Sequence, residues 1–172
     1  MNVSMSRQAG LSLIEILVAL VVLSLGAIGV AGVQLSTIKF NQVSQQRSNA
    51  VQLATSLTDR MRSNMPGVGA GNYVFNFPYA AIPGNVPAAP NCGAPCTPQQ
   101  LASLHLNQWL TELAAALPEG RGTVTQIGAG VGSPYRVTVM WAEKDLTGLG
   151  RDARCPATAP PEAQCLLVEF QP

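Results

Sequence analysis

The sequence predicts an α+β chain of lollipop form. A long amino-terminal helix spans a membrane with its first half and packs its carboxy-terminal half on a small antiparallel sheet. Three observations carry this reading. Residues 10–33, GLSLIEILVALVVLSLGAIGVAGV, are almost wholly apolar, and about two dozen such residues at ~1.5 Å rise each cross a hydrocarbon core ~30 Å thick. From Gln34 the composition turns polar, yet Ala50, Leu53, Ala54, Leu57 and Met61 keep a helical apolar stripe, with neither Pro nor Gly before Asn64. Further on, three segments alternate apolar and polar residues with period two, as strands with one buried face do.

In chain order, residues 1–10 form a short polar leader with Arg7 and no apolar core of its own; Met5 offers a second possible start. A secretory signal places its small-residue cut site after the apolar run. Here the small pair Ala9-Gly10 precedes it, so the apolar segment stays in the mature chain. Glu15 is the one carboxylate in that segment. An acid in lipid costs several kcal/mol unless it finds a partner or the interface. At a helix start it gains ~0.3–1 kcal/mol from the dipole, and a snorkelling interfacial acid is the plainer alternative.

The run Gly10-Leu11-Ser12-Leu13-Ile14-Glu15 behind a basic leader resembles the class III signal of type IV prepilins and secretion pseudopilins. That resemblance implies cleavage after Gly10 by a prepilin peptidase and N-methylation of the new terminus, Leu11, where most major pilins carry Phe. It also implies an assembly role for Glu15, which neutralises the α-amino group of a neighbouring subunit's Leu11. The resulting division is a leader at 1–10, a transmembrane half-helix at 11–33 and a periplasmic globular domain at 34–172, with 34–64 its amphipathic helix.

Gly26, Gly29 and Gly32 recur at spacing three. Each weakens a helix by ~1 kcal/mol in water and permits close helix approach in lipid; they read equally as ordinary membrane-helix glycines or as a bending zone. Arg47, Asp59, Arg60 and Arg62 fall on the polar face of the second half and are read as solvated. Residues 66–96 are rich in Pro, Gly, Ala and Asn and read as loop, with Tyr73, Phe75, Phe77 and Tyr79 alternating along an extended aromatic face. Such a stripe covers a core more often than it contacts a subunit.

A second helix starts at Thr97-Pro98-Gln99-Gln100, which supplies an N-cap, Pro at the first position and a capping-box Gln. Leu101, Leu104, Trp109, Leu110, Leu113 and Leu117 give its apolar pattern, and Pro118 stops it. His105 is the only histidine; acid–base work needs an oriented partner that the neighbouring sequence does not offer, so it is assigned no role. The turn Glu119-Gly120-Arg121-Gly122 leads to strands at 123–127, 135–143 and 165–171. In the second strand Val137, Val139 and Trp141 face inward against Arg136, Thr138 and Met140.

The cysteines Cys92, Cys96, Cys155 and Cys165 allow three pairings, and proximity favours Cys92–Cys96 with Cys155–Cys165. Bridges suit an oxidising compartment. The C-x3-C and C-x9-C spacings suit zinc poorly.

Charged residues make up 11% of the chain, with net charge +1, which argues against nucleic acid as a partner. No nucleophile elbow, His–carboxylate set or phosphate-cradling loop is present. The chain is therefore read as no enzyme: no catalytic residue, cofactor, metal or small-molecule substrate is expected. Ala31-Gly32-Val33-Gln34, and the run from Leu110 to Trp141, resemble minor pilins of the PilV type. This implies a single-pass inner-membrane protein with a periplasmic domain. It also implies prepilin peptidase, other minor pilins and the major pilin as partners, with the chain joining other minor pilins in a priming or tip complex that promotes type IV pilus assembly. The nearest rival is a pseudopilin of a type II secretion system. A tethered adhesin or DNA-uptake binder is a further class, disfavoured for DNA by the near-neutral charge.

Overall fold

The computed structural model describes residues 12–76, 88–93, 95–128, 130, 132–143, 151–157 and 159–172. The leader with Gly10 and Leu11 lies outside the described residues, as do Phe77 and Tyr79 and the 144–150 part of the long loop. Six elements follow in order: α1 (Leu13–Arg62), α2 (Met65–Gly69), α3 (Pro98–Ala116), β1 (Arg121–Gln126), β2 (Tyr135–Ala142) and β3 (Ala163–Phe170). The chain divides into two units, Met1–Gln42 and Val43–Pro172.

From Leu13 the described part of the first unit is helix, and every described side chain in it is exposed. In the second unit, the last turns of α1 bury Ala50, Ala54, Leu57, Thr58 and Met61. Four of these belong to the stripe read from the sequence, whose Leu53 is only partly buried while Thr58 joins it, and the face packs α1 into an α+β core. Two alanines in that stripe keep the helix surface low. Trp109 of α3 packs into the same core, fully buried, and its indole N–H donates to the Leu53 carbonyl at 3.0 Å. A buried indole without such a partner would forfeit a hydrogen bond.

Helix α3 begins as its sequence dictates. Gln100 N–H donates to Thr97 Oγ1 at 3.2 Å, the Gln100 side chain reaches back to the Thr97 amide at 3.0 Å, and Pro98 occupies the first turn. Its inward face differs from the leucine pattern at the start. Ala102 and Leu106 are buried there, while Leu101 and Leu104 are half-exposed. The core wall opposite the first turns accepts a small residue, and the leucines flank it.

The sheet is antiparallel with order β1-β2-β3, Val124 opposite Val137 and Val137 opposite Val168. Val124, Val137, Val139, Trp141 and Phe170 face the helices. The expected solvent face of β2 is a correction: Thr138 and Met140 are buried as well. Described residues of the connection between β2 and β3, Cys155 and Ala159, pack on that face. There Met140, Cys155, Ala159, Ala163 and Cys165 form a second small core, with Leu167 against it. The Cys155–Cys165 disulfide pins the returning chain, and a second disulfide joins Cys92 to Cys96. Arg136, half-buried, and Glu169, exposed, pair across the strands at 3.0 Å.

The 66–96 region also departs from a plain loop. Residues Met65–Gly69 make one short helix, capped by Asn64, whose Oδ1 accepts from Gly67 N–H at 3.3 Å. Phe75 exchanges backbone bonds of 2.8 and 2.7 Å with Val124 and so extends the edge of β1, whereas Tyr73 sits in the turn before it.

Gly122 is required by this packing. A β-carbon there would run into the Trp109 ring, which is itself locked by its bond to Leu53. Gly122→Ala is expected to destabilise the fold by about 1–3 kcal/mol in denaturant unfolding, the usual cost of overpacking. Gly69→Ala, where an added methyl meets nothing within 4 Å, should lie near zero.

Candidate functional site

The chemistry singled out in the sequence begins at the first turn of α1. Gly10 and Leu11 precede the described residues. Ser12 opens the helix, its carbonyl accepting the amides of Glu15 at 3.1 Å and Ile16 at 3.3 Å. Glu15 stands in the first turn, where the unpaired amides favour negative charge. Its carboxylate is exposed and meets no hydrogen-bonding or ionic partner among the described residues.

The helix that follows has apolar side chains on all sides and covers none of them. Leu13 is 80% exposed and Ile16, the most shielded of these large side chains, 46%. Apolar surface on this scale needs a cover of lipid or protein. Three of its hydroxyls are satisfied from within. Ser24 Oγ donates to the Leu20 carbonyl at 2.7 Å, Ser36 Oγ to Gly32 at 3.3 Å and Thr37 Oγ1 to Val33 at 3.0 Å. Hydroxyls folded back in this way present little unpaired polarity to an apolar neighbour. A β-carbon at Gly26, Gly29 or Gly32 would meet nothing within 4 Å, so the chain's own packing makes no demand for these glycines. One helix in the described residues is long and apolar enough to cross a membrane.

The second unit holds a polar network that sequence reasoning missed. His105 Nδ1 and the Tyr73 hydroxyl lie 2.7 Å apart, and Asn64 Nδ2 donates to the same hydroxyl at 3.2 Å and to the Pro98 carbonyl at 2.8 Å. Arg60, read as solvated, is instead half-buried and grips Glu112 of α3 through bonds of 2.6 and 2.9 Å. These side chains tie α1, α2 and α3 together. Tyr135 is anchored similarly, its hydroxyl donating to the Val68 carbonyl at 2.6 Å. Asn64 and Tyr73 are nine residues apart, but the other partners lie 32 to 67 residues away along the chain, so no local pattern announces the network.

Burial, with the nearby Arg60 charge, holds the His105 pKa below its ordinary value. Burial raises the Tyr73 hydroxyl, an effect the Asn64 bond opposes. Asp152 lies low because Arg154 hydrogen-bonds it. Among the described residues no cluster of three or more His, Cys, Asp or Glu could hold a metal ion.

Among known families, the chain matches the prokaryotic N-terminal methylation motif over residues 5–31. No curated protein and no solved structure matches the chain. The motif covers the second half of the leader, Gly10, Leu11, Glu15 and the apolar start of α1. It marks a type IV pilin-like amino terminus, of pilus or pseudopilus, on a membrane-anchoring helix.

The His105 shift has a consequence in solution. Its folded pKa lies below the unfolded value of 6.5, so between the two only the unfolded chain takes up the proton. The stability this neutral imidazole contributes is complete above pH ~6.5 and declines as the pH falls toward the folded pKa. Thermal midpoints between pH 7 and 5 are expected to fall more steeply for the native chain than for His105→Asn, which keeps a polar partner for Tyr73 and does not titrate.

Proposed function

We propose that the chain is a minor pilin of the PilV type that takes part in type IV pilus assembly. The observation that supports this most directly is the methylation motif set on an apolar helix that its own chain leaves uncovered. A helix of this kind is stable in two surroundings, a bilayer and a bundle of like helices, and a pilus subunit passes from one to the other. In this reading a prepilin peptidase cuts after Gly10, Leu11 is N-methylated, and Glu15 neutralises a neighbour's new α-amino group. Residues 11–33 then span the inner membrane, and 34–172 lie in the periplasm until assembly with other minor pilins and the major pilin. Two disulfides suit that oxidising compartment. The chain works as a structural subunit in a priming or tip complex, without catalysis.

Mass spectrometry of the amino terminus of the protein recovered from sheared pili tests the reading. The expected species begins at N-methylated Leu11; a chain recovered with its leader, or cut after the apolar helix, overturns it. Recovery with the secretion pseudopilus and not with pili identifies a type II secretion pseudopilin instead. Glu15→Ala is expected to leave membrane insertion intact and to reduce incorporation into filaments at least about tenfold, the effect of losing an ion pair formed away from water. Immunoblotting of membrane and sheared fractions measures both.

A further inference from the structure

We propose that Arg47 and Glu143 form a latch that sets where α1 becomes part of the globular unit. The first buried α1 side chain is Ala50. Residues 43–49 bury none fully, so apolar packing does little to hold that stretch of helix. Polar contact does the holding.

Glu143 follows directly on β2, and its backbone is fixed by its amide, which donates to the Glu162 carbonyl at 3.0 Å. Its side chain is only 2% exposed, yet neither carboxylate oxygen accepts a hydrogen bond. Among the described residues one cation lies within 4 Å of it: Arg47 Nη2, at 3.8 Å from Oε2, on a side chain 56% exposed. Two further buried polar atoms without partners, Gln46 Oε1 and Trp141 Nε1, occur beside these residues on the same two segments. Among the described residues the charges acting on Arg47 are Glu143 and Asp152, and Asp152 is already clamped by Arg154.

The latch therefore has a fixed half and a moving half. Glu143 cannot reach water, and Arg47 can. While Arg47 stays seated, the helix from residue 43 onward belongs to the globular unit. When it leaves, the carboxylate is stranded, a state far less favourable than the pair is favourable. The pair thereby fixes which helix residues remain free for lipid or neighbours and which move with the sheet. The filament reading assigns no such role to either residue.

Hydrogen exchange of the full chain in detergent micelles tests this. Arg47→Gln is expected to speed amide exchange over 43–49 at least roughly tenfold, while 54–61 stay as they were. Adding Glu143→Gln to that variant should return part of the protection, because the stranded charge is gone. In the native chain, raising salt from about 0.05 to 1 M should speed exchange over 43–49 selectively, since Arg47 is open to screening. Unchanged exchange over 43–49 in Arg47→Gln, an equal rise over 54–61, additive effects in the double variant, or insensitivity to salt would each overturn the latch.

Discussion

Apolar surface that the chain itself leaves uncovered is the constraint on which the rest depends. Over residues 12–42 every described side chain is exposed, and the large apolar ones are Leu, Ile, Val and Phe. At ~25 cal/mol per Å² of apolar area, leaving so many in water is untenable. The stretch is built to meet an apolar environment: its hydroxyls bond its own carbonyls, and its one acid stands in the first turn. The methylation motif falls on this stretch and its leader.

The same helix changes character within a few turns. From Ala50 its inward face is small and apolar, and Trp109 of α3 packs into the core that face forms. That ring then imposes glycine at Gly122 on β1. A chain of dependence thus runs from an alanine pair to a tryptophan to a strand glycine, joining three distant parts of the sequence in one core. Close packing makes each step unforgiving.

Polar side chains complete what regular structure leaves open. Asn64 caps α2, holds the start of α3 through Pro98 and steadies the Tyr73–His105 pair. Arg62 pairs with Asp59 and lies 5.4 Å over the Phe170 ring. On the far side of the sheet, the disulfide-pinned return between β2 and β3 supplies a second cover. β2 is consequently buried along both faces, although its composition is that of a half-solvated strand.

Composition and local spacing by themselves determined the apolar helix and the stripe at Ala50, Leu57 and Met61. They also determined the cap at Thr97 and three antiparallel strands near their observed bounds. Each depends on residues within a turn of one another, so the signal survives without the rest of the chain. The burial of Thr138 and Met140, the choice of Ala102 and Leu106 over Leu101 and Leu104, the pairing of Arg60 with Glu112, and the helical turn at Met65 were decided only by the tertiary structure. Each depends on what returns to cover it from far along the sequence, and side-chain type alone does not specify what comes back.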